Sequence, residues 1–180
     1  MNFTEVKEQI RTFIKDELIS LEPWIVNSEW SEKLPKLNEL RDKVKKMGFW
    51  LPQVSKEYGG LGLSLEQHGE VSEILGASPY GFYVFNCQAP DAGNMEVLIE
   101  TGTEEQKQQY LYPLLEGKIR SCFAMTEPQY AGSNPTRMGT TAKKENENYI
   151  INGHKWFTSS FDGANFAIVM VVTDPDGEDV

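Results

Sequence analysis

Residues 123–134 read FAMTEPQYAGSN, an apolar run that ends in Thr126-Glu127-Pro128 and continues as a loop of small and hydroxyl-bearing residues. Such a strand end suits cofactor binding. Gly132 permits close backbone approach, Ser133 and Thr126 supply hydroxyls, and the exposed amides of the loop can meet flavin carbonyls or a pyrophosphate. On composition alone, a surface turn has the same make-up. What surrounds the stretch decides how it is read. On its C-terminal side, residues 140–144, 149–152 and 166–173 are short runs bounded by turn signals, and with residues 121–125 they read as strands. Asn146-Glu147-Asn148 is a hairpin turn. Residues 165–173 are mainly apolar, as for a strand covered on both faces.

On the N-terminal side the apolar period changes to that of helices. Phe3, Val6, Ile10, Phe13, Ile14 and Leu18 fall at helical spacing over residues 2–21, with Asn2 and Glu5 as a capping box. A second helix over residues 31–47 carries Leu34, Leu37, Leu40 and Val44 on one face, Pro35 in its first turn and Gly48 as a left-handed cap. Tyr58-Gly59-Gly60-Leu61-Gly62 makes a sharp connection, and Ser64 with Gln67 starts the next helix, which runs to about Leu75. A buried apolar stretch through Tyr83 and Phe85, a helix over residues 88–100 and a last helix opened by Thr103 and Gln106 complete this part, which ends near Gly117. Five or six helices followed by the opening strands of a sheet make an α+β chain, with a helical domain over residues 1–118 and the beginning of a β domain over 119–180.

The bulk properties exclude several classes. At 180 residues, 39% hydrophobic and 24% charged, the chain has the composition of a folded globular protein. Its net charge of −10 argues against a nucleic-acid partner, which needs concentrated Lys and Arg. Cys87 and Cys122 lie far apart and outside any CxxC pattern, so neither a disulfide framework nor a zinc site is expected. The first thirty residues hold acidic groups and no continuous apolar run, which excludes a secretory signal or a membrane span from the reading and makes the cytoplasm the expected location.

Taken together, the motifs resemble the acyl-CoA dehydrogenase family. Thr126-Glu127-Pro128 with its Gly/Ser loop is similar to that family's flavin-binding signature. The segment 86–91, NCQAPD, with Gly93-Asn94-Met95-Glu96, is similar to a helix start in the subgroup whose animal members are fused to kinase-like domains. Residues 102–107, GTEEQK, and 114–117, LLEG, resemble the family's next helix, and residues 151–159, INGHKWFTS, its second flavin-contacting strand. These four segments are collinear with the family.

The resemblance implies a helical domain followed by a β-barrel-like middle domain, with a C-terminal helical domain absent from these residues, FAD as cofactor, and α,β-dehydrogenation of an acyl-CoA thioester with hydride transfer to flavin N5. It implies flavin contacts at Phe123, Met125, Thr126, Gly132, Ser133, Phe157, Thr158 and Ser159, and substrate contact at Ser133. Phe157 stands where many relatives have Trp, and Ser159 where they have Thr; two residues apart on a strand, they would share one side, leaving Trp156 to face a core. The loop has one extra residue before Gly132, and Asn134 stands where Asp is usual. An electron-transfer flavoprotein as oxidant, a dimer or tetramer, and a mitochondrial or peroxisomal location in a eukaryote are further implications. No metal site is implied.

The catalytic base is expected beyond Val180, in a further domain of about 200 residues. These residues are therefore expected to be the N-terminal portion of the enzyme and inactive alone. Two alternatives stay open: a truncated, non-catalytic interaction protein, and a flavoenzyme of this fold acting on a nitroalkane or another non-CoA substrate. Glu127 is read as a loop-organising residue rather than the base, and Gly59, Gly60 and Gly62 as a tight turn. His68 and His154 are read as surface or capping residues, Asp91 and Glu96 likewise, and Cys87 as a buried small residue.

Overall fold

The computed structural model describes residues 2–132 and 134–174. They fall into two compact units, one ending at Ala92 and the other beginning at Gly93. The change from helices to strands comes later, between Leu115 and Ser121.

The first unit opens with α1 (Phe3–Phe13), capped as the sequence predicts: Asn2 accepts from the Glu5 amide, and the Glu5 carboxylate accepts from the Asn2 amide. The single helix expected over residues 2–21 is not continuous. After Phe13 the chain widens into a π turn (Ile14–Leu18), tightens into a 3-10 turn (Ile19–Leu21) and restarts as α2 (Glu22–Asn27). Pro23 accounts for the restart, because it has no amide hydrogen to donate back to Ile19 and stands in the first turn of α2. The apolar stripe survives the change of pitch: Ile10, Phe13, Ile14 and Leu18 are all buried.

α3 (Trp30–Met47) starts one residue earlier than expected and places Pro35 in its second turn, inside the helix. It buries Leu37, Leu40 and Val44 and ends on Gly48 at φ 77°. α4 (Leu65–Leu75) begins at the predicted Ser64–Gln67 capping box, and α5 (Gly81–Val84) is a single buried turn. Between α3 and α4 the glycines do form a tight turn. Gly59 caps a 3-10 turn (Lys56–Tyr58) at φ 84°, and a Cβ on Gly60 would lie 2.1 Å from the Val54 carbonyl oxygen. The core gathers α1, α3 and α4 around Phe85, with the Phe13 ring edge-on to it at 5.8 Å. Arg41 is buried too, its guanidinium between the Trp50 and Tyr83 rings and donating to the Asn86 side-chain oxygen.

The second unit contains most of α6 (Asp91–Thr101), then α7 (Glu104–Gln106), a π turn (Lys107–Leu111) and α8 (Tyr112–Leu115). The π turn lies just before Pro113, whose missing donor interrupts the ordinary ladder. Asn94 fixes the first strand to α6 by donating to the Ser121 hydroxyl and the Cys122 carbonyl. β1 (Ser121–Ala124) pairs in parallel with β4 (Phe166–Val169), Phe123 opposite Ile168. Reciprocal bonds between Arg120 and Asn165 hold that register: each backbone amide donates to the other residue.

β2 (Thr141–Glu145) and β3 (Asn148–Asn152) form the expected hairpin, turning at Asn146, whose φ of 56° suits asparagine. Beyond β4 the chain still pairs: the Met170 amide donates to the Ala124 carbonyl, then Val172 exchanges backbone bonds with the start of β2. The strand expected to be covered on both faces is instead partly exposed, with Ala167 and Met170 open to solvent. Its strand regularity ends at Val169 because it leaves β1 to meet β2. Among the described residues the sheets are two-stranded and no closed barrel forms.

Candidate functional site

The end of β1 is the centre of the candidate site. Phe123 is half-buried within the strand, and Met125 and Thr126 follow it as irregular backbone, also half-buried. The second candidate segment comes to meet them. The Trp156 amide donates to the Thr126 carbonyl at 3.0 Å, and the Lys155 ammonium donates to the Met125 carbonyl at 2.8 Å. Met125 and Thr126 are therefore held beside Lys155 and Trp156, some thirty positions further on. Gly132 closes the loop back over Thr126: a Cβ there would lie 2.8 Å from the Thr126 methyl, so any larger residue displaces one or the other. Ser133 lies outside the described residues.

The strand expected through residues 157–159 does not exist. β3 ends at Asn152, and Phe157 sits at φ 50°, a left-handed conformation that a bulky residue rarely adopts. The alternation placing Phe157 and Ser159 on one side and Trp156 in a core fails for that reason. Trp156 is 43% exposed and tilts against Phe157 at 4.6 Å between ring centroids, and Phe157 is 80% exposed. The two rings form an open aromatic ledge instead. Thr158 is half-buried and its carbonyl accepts from the Phe161 amide, while Ser159 is exposed in a turn. A strained, solvent-facing aromatic is a marker of function rather than of packing.

Glu127 is the best-ordered polar group of the site. Its side chain is 3% exposed and accepts from the Gly139 amide, the Thr140 amide and the Lys155 ammonium at 2.6, 2.9 and 2.8 Å. Burial alone raises the carboxyl's pKa, but the lysine and the backbone donors outweigh it and hold it down to about 2. A carboxylate so acidic, with its oxygens already occupied, is no general base at neutral pH. It organises the loop, in keeping with the sequence reading. Asn134 does the same further on, its side-chain oxygen accepting from the Thr136 amide and hydroxyl. An amide oxygen suffices for both bonds, so this turn does not need the charge of an aspartate.

Lys155 is the residue that sequence reasoning passed over. The signal was a lysine between a turn and two aromatics, but its partners lie 28 and 30 positions away and no local pattern connects them. A cleft of about 310 Å³ opens beside Glu127, Tyr130, Thr140 and His154. Within it the Thr140 hydroxyl is buried beside the Glu127 carboxylate. The remaining candidates resolve simply. Cys87 is buried with its thiol pushed up to about 12 by burial, and Asp91 is fully buried beside Gln88, not at the surface. Among the described residues, no group of His, Cys, Asp and Glu could hold a metal, and no helix is long and apolar enough to cross a membrane.

Helices thus lead into strands, the first of which ends in this loop. Residues 3–118 match the acyl-CoA dehydrogenase N-terminal domain and residues 122–180 the acyl-CoA dehydrogenase middle domain. The chain belongs to the acyl-CoA dehydrogenase family. Among individual relatives, it is 42% identical to acyl-CoA dehydrogenase family member 10 of Mus musculus, over 93% of this chain and 17% of that protein. A protein of Mycobacterium abscessus assigned as an acyl-CoA dehydrogenase has the same fold, with a TM-score of 0.88 at 37% identity, over 97% of this chain and 47% of that one. A glutaryl-CoA dehydrogenase of Mycobacterium smegmatis in complex with FADH2 matches with a TM-score of 0.70 at 26% identity, over 96% of this chain and 42% of that one. The chain thus spans less than half the length of these proteins.

Proposed function

We propose that these residues form one wall of the flavin and acyl-CoA site of an FAD-dependent enzyme that dehydrogenates acyl-CoA thioesters between the α and β carbons. The single observation that carries the reading is the clamping of Lys155 and Trp156 against Met125 and Thr126, which joins the end of β1 to the segment carrying the exposed Phe157 ring. A planar, polar-edged ring fits such a place, stacking on Phe157 while its edge meets the Thr126 hydroxyl and amide. FAD, when bound, would accept the hydrogen leaving the β carbon as the α-proton is removed.

The residues described here would bind and orient. Phe123, Met125 and Thr126 give the ring one edge, Phe157, Thr158 and Ser159 another, and Gly132 with Ser133 brings the loop close to the phosphates and to the thioester-bearing ligand. The match to a relative in complex with FADH2 supports the cofactor, and the family supports acyl-CoA as substrate. Its filled oxygens exclude Glu127 as the base, a role that the resemblance to the family assigns to a later domain. Reoxidation by an electron-transfer flavoprotein, a homo-oligomeric state and a helical domain over residues 1–118 belong to the same proposal. Two buried cysteines, neither in a disulfide, suit a reducing compartment such as the cytoplasm.

The test is equilibrium flavin binding by the full-length protein, wild type against Phe157→Ala and Gly132→Val. Each substitution is expected to weaken FAD binding at least tenfold while circular dichroism stays unchanged. Undiminished flavin affinity in both variants overturns the placement.

A further inference from the structure

Lys155 is 11% exposed and its ammonium has two strong acceptors, the Met125 carbonyl and the Glu127 carboxylate, both at 2.8 Å. The first is the informative one. The Met125 carbonyl and the Thr126 amide belong to one peptide group, and a cation on the oxygen draws electron density through the amide, making its N–H a stronger donor. That N–H makes no hydrogen bond among the described residues. It belongs to the residue whose carbonyl accepts from the Trp156 amide, and so lies near the segment that carries the aromatic ledge.

We propose that Lys155 is a positioning residue for the redox step: through the Met125–Thr126 peptide it strengthens the free Thr126 amide as a donor to bound flavin, favouring the reduced, more electron-rich form. The inference rests on the flavin reading above. It assigns the two members of the buried pair opposite effects. The Lys155 charge favours electron-rich flavin, and the Glu127 charge opposes it.

That sign difference makes the test. The two-electron midpoint potential and the affinity for oxidised FAD are measured on the flavin-loaded, full-length protein as wild type, Lys155→Met and Glu127→Gln. Lys155→Met is expected to lower the ratio of reduced to oxidised flavin affinity about tenfold, a fall of about 30 mV for a two-electron couple. Glu127→Gln is expected to move the potential upward. A lysine that merely holds the loop predicts weaker binding in both variants with potentials that stay put or move in the same direction, and that result overturns the proposal. Should Lys155→Met not fold, Glu127→Gln decides alone: a raised potential supports the proposal, and an unchanged or lowered one overturns it. A wild-type protein that binds no flavin overturns the flavin reading and this proposal with it, whereas flavin-loaded proteins with the wrong signs overturn this proposal only.

Discussion

At the scale of single residues, Glu127 shows how one buried charge can organise a loop. It is tied to three donors, so removing it strands the Lys155 ammonium in a site that solvent scarcely reaches. Glu127→Ala is expected to destabilise the protein by about 3–5 kcal/mol, measured by urea unfolding. The pH dependence has a definite sign. The folded carboxyl is depressed to about 2, so its stabilisation is complete above the ordinary glutamate pKa of about 4.3 and is lost as the pH falls from there toward 2. Wild type and Glu127→Gln should therefore converge in stability across that window and stay parallel above it. Cys87 and Cys122 give a separate test: both are buried, and the Cys87 thiol is held protonated. Neither should react with a soluble thiol reagent until the protein unfolds. Burial of Cys87 was legible in the sequence, where a lone small residue outside any metal or redox pattern reads as buried. The role of Lys155 was not, because its partners are distant in sequence and local periodicity carries no distances.

At the scale of elements, what the sequence revealed best were boundaries with local chemistry. Asn2, Ser64 and Thr103 each form the predicted capping box, because each depends on residues three positions apart. Ser64→Ala is expected to cost about 1 kcal/mol, read as a lower unfolding midpoint with an unchanged slope. Gly60→Ala should cost more than Ser64→Ala in the same assay, since its Cβ meets backbone that has no rotamer with which to yield. Elements that depend on distant contacts were misread. Apolar spacing alone carried one helix through to residue 21, where the chain instead passes through a π turn and a 3-10 turn before restarting as α2. A strand was expected through Phe157 from the resemblance of residues 151–159 to the family's flavin-contacting strand, but the Lys155 ammonium and Trp156 amide bond to the Met125 and Thr126 carbonyls and the strand ends at Asn152. The strain at Phe157 and its exposure both follow from that capture.

At the scale of the molecule, the order of helices and strands was readable because it rests on two different hydrophobic periods. The family was readable because four separate motifs agree in order, and the matches to the N-terminal and middle domains cover the same residues. The two halves of the candidate flavin wall could be named from the sequence but not brought together by it. Only the folded chain sets Lys155 and Trp156 against the end of β1, and it does so with an ion pair and two backbone carbonyls rather than with the continuous strand expected. The central claim is that this wall serves a flavin that takes electrons from an acyl-CoA. It is tested most directly by adding acyl-CoA thioesters of graded chain length, without oxygen, to the flavin-loaded full-length protein while following the visible flavin absorbance. Bleaching by at least one thioester, with formation of the α,β-unsaturated product, is the predicted result; a protein that binds no flavin, or flavin that no acyl-CoA reduces, would contradict it.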